Sequence, residues 1–403
     1  MRDPQRRKAE GVPTPPPDEE FERRIGRLRT ALDDSGADGA VIYGAGPDPD
    51  PIRYLTGYVH VFARARSLLI LPRRGDPILL LDREWHRPEA ERMTWIDDVR
   101  ALPWPEAGAD QAALRARLGE AFADAGLEGG TVAVPDLEFP AALLGALEGA
   151  EGAPTVSVLG SLWPGLVTDP TPYDAARIEE TAAIADAGLE AFVSACRPGV
   201  SERAACFAAL EAMAEAGAEF LHGSAVSTHV DVGSFSRGRS NLQPYLHTES
   251  ELEAGELFWV DLIACHDGYY VDCDRTVCVG EPSAEQRALY EVCREMYDAM
   301  LEAIAPGVTG ATVWRAGREV AERAGHGDRL NAIYLGHSTG ITISSSPVVR
   351  ADETAELRAG QFLNVEPGIF HPEIGAACIE NTVRVAEGGV EPINGASIDL
   401  RVV

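Results

Sequence analysis

The sequence predicts two unlike domains: an α/β domain over residues 19–164 and an α+β domain over residues 165–403 that carries an internal duplication with pseudo-two-fold symmetry. Three observations carry this reading. Up to Pro164, helix-like and strand-like apolar periodicities alternate. The stretch PGVSERAACFAALEAMAEAG from Pro198 is matched without a gap by PGVTGATVWRAGREVAERAG from Pro306. Gly255–Gly280 reads as two strands joined by a turn, with carboxylates embedded among strand hydrophobes.

Taken in order, residues 1–18 are proline-rich, lack the apolar core of a signal peptide and read as a disordered tail. Phe21, Ile25, Leu28 and Leu32 form a helical stripe that stops near Gly36. Ala40–Tyr43 is a short buried strand, and IRYLTGY (Ile52–Tyr58) follows an Asp/Pro loop. Leu68–Leu71 and Ile78–Leu81 form a hairpin across Arg73–Asp76. Ala112–Ala125 is a helix, Val132–Val134 a strand and Ala141–Leu147 a helix. No nucleotide-binding glycine motif occurs here. A loop, Pro164–Pro172, leads to a long alanine-rich helix from about Tyr173 to Ala195. The helix before the second repeat opens with a capping box, Ser283 with Gln286.

At 403 residues the chain can bury two substantial cores. Its net charge of -29 argues against nucleic acid and anionic membrane surfaces as partners, since both attract basic patches. No apolar run is long enough to span a bilayer. The seven cysteines are odd in number and form no CxxC pair, which points to reduced thiols and a cytoplasmic location.

The chemistry concentrates in the second domain. Asp261 and Asp272 lie inside the two hairpin strands, where unpaired carboxylates are costly and repel each other. A bound cation would make the arrangement favourable; a solvated hairpin with two rim carboxylates is the plainer alternative. The second half of the duplication should face this hairpin, and it offers His337 in YLGHSTGI, Glu366 in FLNVEPGIF and Glu380 in AACIENTVRV. Singly, each has an ordinary explanation as a satisfied core histidine, a residue before a Pro-Gly turn or a wet strand face.

Together these residues resemble the aminopeptidase P, prolidase and creatinase family, with its pita-bread catalytic fold. The resemblance covers most of the chain. It rests on the eleven-residue spacing of Asp261 and Asp272 in a D…DGYxxDxxRT setting, on GHxxGI around His337, on VEPGI at Glu366, and on Glu380 fourteen residues later in IENTV. The resemblance implies two divalent metal ions: Asp261 on one, His337 and Glu366 on the other, with Asp272 and Glu380 bridging. One imidazole among hard oxygen donors suits manganese, iron, cobalt or zinc. Metal-activated water would be the nucleophile. It also implies a homodimer in which Trp85, Trp95 and Trp104 are candidates for an aromatic wall.

The sequence departs from the family's peptidases in the groups that handle protons and substrate. Where these have a Pro-His pair, this chain has Pro244-Tyr245, with His247 two residues on. The second auxiliary histidine is replaced by Ser344, and the arginine before the last glutamate by Cys378. The family's TRT is Asp274-Arg275-Thr276. Tyr245, His247 and Asp274 are therefore candidate proton-handling residues, and Ser344 and Cys378 candidates for outer-shell or substrate contacts. Cys378 reads as a small filler or a thiol near the metals. Asp274 reads as an outer-shell acceptor, an extra acid/base or a partner for Arg275. These changes disfavour ordinary proline-peptide cleavage and point to a divergent, non-peptidase member. The leading expectation is a two-metal hydrolase that cleaves a C–N bond in a small amide, amidine or modified dipeptide. A lyase or oxygen-dependent enzyme using the same site, and a non-catalytic binding protein, are the alternatives.

Overall fold

The computed structural model describes residues 15–46, 50–60, 65–102, 111–135, 139–160, 162–219, 231–235, 251–330 and 334–403. The proline-rich tail through residue 14, Trp104, Tyr245 and His247 lie outside these residues. The chain forms two compact units that meet in sequence between Leu166 and Val167.

In the first unit, α1 (Asp18–Ser35) buries its Phe21, Ile25, Leu28 and Leu32 stripe and ends at Gly36 in a left-handed conformation. The following elements are β1 (Gly39–Ala45), α2 (Asp50–Thr56), β2 (Arg66–Pro72), β3 (Ile78–Leu81), α3 (Arg87–Met93) and β4 (Asp98–Ala101). Then come α4 (Ala112–Asp124), β5 (Thr131–Val134), α5 (Ala141–Glu148), β6 (Thr155–Val158) and α6 (Leu162–Val167). IRYLTGY thus supplies most of a short helix. The six strands form one mixed sheet in the order β4-β3-β2-β1-β5-β6. The β2–β3 hairpin is antiparallel, as its turn residues require. Leu114, Leu118, Phe122, Leu143 and Leu147 of α4 and α5 pack on Val41, Leu68, Ile70 and Leu80. Trp95 is not free to line a wall: its indole donates to the Leu55 carbonyl and its ring stacks on Phe21. Trp85 is exposed.

The second unit opens with α7 (Pro172–Ala195), which carries a Thr171–Asp174 capping box, and α8 (Glu202–Ala216). Strands β7 (Asp231–Phe235), β8 (Leu257–His266) and β9 (Tyr269–Cys278) follow. The second half contains α9 (Ala284–Ala303), α10 (Gly310–Arg323), β10 (Gly336–Ser338), β11 (Ser345–Val348) and β12 (Phe362–Val365). It closes with β13 (Gly368–His371), β14 (Gly375–Cys378), β15 (Asn381–Ala386), β16 (Gly389–Pro392) and β17 (Arg401–Val402). The sheets run β17-β9-β8-β7 and β11-β10-β12-β15-β16, with β13-β14 as a separate ribbon. Among the described residues no helix is long and apolar enough to cross a membrane. All seven cysteines are buried and none is in a disulfide.

The duplication is legible in the backbone. The first Pro-Gly-Val turn exchanges hydrogen bonds with Leu252 through Gly199 and Val200, at 2.9 and 2.8 Å. The second does the same with Leu357 through Gly307 and Val308, at 2.9 and 2.8 Å. In each half the two helices close on a glycine–methionine contact, with the partners exchanged. A Cβ on Gly188 would stand 2.5 Å from Met213 Cγ, and a Cβ on Gly317 2.6 Å from Met300 Sδ. Gly317→Ala is therefore expected to cost about 1–3 kcal/mol in urea unfolding. The loss should be less than additive with Met300→Ala; simple additivity would contradict this packing.

Candidate metal centre

The hairpin β8–β9 turns through two residues, Asp267 (φ 52) and Gly268 (φ 81), both left-handed as a tight hairpin of this length favours. That turn sets the register. Asp261 stands directly opposite Asp274, and Asp272 opposite Ile263. The repulsion expected between Asp261 and Asp272 is thus diagonal, and the directly facing carboxylate is Asp274.

The second half supplies the other groups. Glu366 follows β12, and its N–H donates to the Leu335 carbonyl just before β10, which carries His337. Glu380 lies between β14 and β15. Its N–H donates to the Asp274 carbonyl (3.1 Å) and its carbonyl accepts from the Asp274 N–H (3.3 Å). The two halves therefore meet at Asp274 and Glu380.

Ligand-type atoms of Asp272, His337 and Glu380 lie within 4.8 Å of one another, as do those of Asp261, Asp272, Asp274 and Glu380. His337 Nε2 is 3.7 Å from Glu366 Oε1. All five residues predicted as ligands are thus brought to one place. Asp272, Asp274, His337 and Glu380 are buried, and Asp261 and Glu366 partly so. Asp272, Asp274, Glu366 and Glu380 each keep a buried carboxylate oxygen with no hydrogen-bond partner among the described residues.

Burial first, and then the neighbouring carboxylates, push Asp272, Glu366 and Glu380 well above the ordinary carboxylate range. Burial raises Asp274 too, with Asp261 adding to it, while bonds to Cys378 and Glu380 oppose the rise. Burial lowers His337 to about 4, so its imidazole is neutral near pH 7. Its Nδ1 donates to the Ser338 carbonyl, leaving the Nε2 lone pair toward Glu366. Unpartnered carboxylate oxygens around a neutral imidazole are the donor set a divalent transition-metal ion requires.

Arg275 is not the ion partner of Asp274. It is fully buried and its guanidinium donates to the backbone carbonyls of Asp274, Glu380, Ala396 and Ser397 and to Asn381 Oδ1. Thr276 brackets Cys378, donating to its carbonyl and accepting from its N–H. Cys378 packs with Trp259 and Ala376, and burial first, then the neighbouring Asp274 charge, raise its thiol so that it stays protonated. It is both a filler and a neighbour of the carboxylates. Ser344 is exposed in the turn between β10 and β11.

Two features escaped the sequence reading. Tyr334 lies beside His337, ring centroids 5.9 Å apart, and is 39% exposed. Burial and the charges of Glu366, Glu380, Asp272 and Asp261 raise its phenol, so it stays protonated. The second is a repeat around the ligand positions: ELEAGELFWVD (251–261) and ELRAGQFLNVE (356–366) align without a gap and place Asp261 and Glu366 at the same point. Gly255 (φ 91) and Gly360 (φ 89) make the same left-handed turn in the two copies.

A family model described as "Metallopeptidase family M24" matches residues 176–387, and one described as "Creatinase/Prolidase N-terminal domain" matches residues 24–158. The fold and site define a pita-bread protein with a creatinase-type N-terminal domain. The chain belongs to metallopeptidase family M24, within the aminopeptidase P and prolidase group of metal-dependent hydrolases. An Xaa-Pro dipeptidase of Lactobacillus helveticus is 28% identical over 385 residues, covering 94% of this chain and 98% of that protein. An Xaa-Pro dipeptidase of Pyrococcus furiosus is 30% identical over 223 residues, covering 55% of this chain and 62% of that protein. The solved Xaa-Pro dipeptidase from Bacillus anthracis superposes with a TM-score of 0.80 at 24% identity, covering 95% of this chain and all of that one.

The titration of the centre gives a signed prediction. For Asp272, Asp274, Glu366 and Glu380 the folded values are raised. Their contribution to the stability of metal-free protein is fully present below about pH 4, their unfolded range, and is lost as pH rises through the folded values. His337, depressed, acts oppositely between about pH 6.5 and its folded value of about 4. The four carboxyls outweigh the one imidazole. Cation binding requires the deprotonated forms, so the rise in Tm on adding Mn2+ to chelator-stripped protein should grow from pH 5.5 to pH 7.5. A rise that is flat or shrinks over this range would contradict the assignment.

Proposed function

We propose that this chain is a two-metal hydrolase that cleaves the C–N bond of a small amide substrate, with a dipeptide bearing proline after the scissile bond as the leading class. The observation that carries this reading is the set of buried, unpartnered carboxylate oxygens gathered around the neutral His337. The substrate class draws on the Lactobacillus helveticus Xaa-Pro dipeptidase, which aligns over nearly the whole chain. That kinship counts against the expectation of a non-peptidase and favours a dipeptide or modified dipeptide over an amidine.

In this reading Asp261 would hold one ion, His337 and Glu366 the other, and Asp272 and Glu380 would be shared between them. Manganese, iron, cobalt and zinc all suit the donors. Divalent ions held there would lower the pKa of water and polarise the carbonyl to be attacked. The carboxylate cluster takes up the proton that the water loses. Tyr334, protonated and open to solvent beside His337, offers a hydrogen-bond donor toward the substrate carbonyl. Tyr245 and His247 are proposed to move the proton to the leaving amine, which fits the absence of a histidine at Ser344.

The test is hydrolysis of Xaa-Pro dipeptides by chelator-stripped protein before and after Mn2+ is restored. Activity should require the ion. Asp272→Asn and His337→Ala should each lower kcat/KM by more than about a hundredfold, beyond what losing an outer-shell partner costs, with circular dichroism unchanged. Substantial turnover by metal-depleted His337→Ala protein would overturn the mechanism. Oxygen uptake with substrate, or products formed without water, would move the reaction to the lyase or oxygen-dependent alternative.

A further inference from the structure

The internal two-fold assigns Asp274 a counterpart. Gly255 donates to the Val279 carbonyl at 2.7 Å, and Gly360 to the Val385 carbonyl at 2.7 Å. Val279 and Val385 in turn donate to the carbonyls of Glu256 and Gln361, at 2.9 and 2.8 Å. With the two hairpins aligned on these bonds, Asp261 matches Glu366, and Asp274, five residues before Val279, matches Glu380, five before Val385. Asp272 matches Cys378. The reciprocal hydrogen bonds between the backbones of Asp274 and Glu380 are what two equivalent residues make where the halves meet.

Asp274 also has the surroundings of Glu380. It is 3% exposed against 1%. A carboxylate oxygen of each lies within 4.8 Å of those of Asp261 and Asp272. Its Oδ1 is buried without a hydrogen-bond partner among the described residues. The thiol of Cys378 and the carboxyl of Glu380 reach the Asp274 side chain, and the Arg275 guanidinium is committed to backbone oxygens.

We propose that Asp274 is a sixth protein donor to the metal centre, standing on the first hairpin where Glu380 stands on the second. This rests on the metal-centre reading above and adds a fifth carboxylate to it. With five carboxylates against two divalent ions the centre keeps one net negative charge, which favours hard, oxygen-preferring cations over softer ones.

The test is calorimetric titration of Mn2+ into chelator-stripped protein, wild type against Asp274→Asn. The asparagine amide preserves a hydrogen bond to Glu380 but presents no carboxylate to a cation. Asp274 as a donor predicts that one equivalent is lost or bound at least about tenfold more weakly. The visible absorption of the Co2+-loaded protein should change with it, because the ligand field changes. A wild-type isotherm and an unchanged Co2+ spectrum in D274N would reduce Asp274 to a hydrogen-bond partner of Glu380 and overturn the inference alone. A wild-type chain that binds no Mn2+ or Co2+ would overturn this inference together with the metal-centre reading. If D274N does not fold, D274S, small enough to be buried, is read with the same two outcomes.

Discussion

Carboxylates held where their charges are neither solvated nor paired are the constraint around which the second unit is built. Asp272, Asp274 and Glu380 are buried, each with an oxygen lacking a hydrogen-bond partner among the described residues. Left to themselves such groups would turn to solvent or pull the strands apart. They are kept together by bonds that leave the carboxylates alone. Arg275 ties β9 to the Glu380 backbone and to the Ala396–Ser397 segment. Thr276 ties it to Cys378. The Arg-Thr of the motif is a rivet, and its rigidity is what allows like charges to remain in contact. Without cations such a site is relieved only by taking up protons, and divalent ions bound there would replace them.

Duplication explains how such a site can be assembled from ordinary parts. Each half has a helix pair, a Pro-Gly-Val turn strapped to a leucine, a left-handed glycine and a strand leading to an acid, Asp261 within β8 and Glu366 just after β12. The first half carries Asp261, Asp272 and Asp274, and the second Glu366 and Glu380. The three aspartates already meet on the β8–β9 hairpin, and bringing the halves together adds Glu366, Glu380 and His337 to them. Asymmetry then enters at two points: His337 on β10 and the exchange of Cys378 for a counterpart of Asp272. The first supplies a nitrogen donor and the second removes a charge beside Asp274, substituting a thiol that packs on Trp259.

Much of this was legible in the sequence, because it depends on local spacing. The five predicted ligands each sit in a strand or tight turn whose residues announce it, and the structure gathers all five. The register of β8 and β9 was also available: Asp267-Gly268 is a two-residue turn, and counting back from it places Asp274 opposite Asp261. The wiring of Arg275 was not legible, since all its acceptors but the adjacent Asp274 carbonyl lie more than a hundred residues away in the chain, and two are carbonyls of an irregular segment. Tyr334 was hidden for a similar reason. Nothing local marks a tyrosine before a short strand as the neighbour of the histidine in the carboxylate cluster.

The account stands on cations occupying the junction of the two halves, and metal content per chain tests that most directly. Elemental analysis of protein purified without chelator or affinity-column metal should find close to two equivalents of manganese, iron, cobalt or zinc. A chain that remains metal-free after being offered each of these ions would contradict it. The buried carboxylates would then have to share protons among themselves, and the function would have to be sought in metal-free catalysis or in binding.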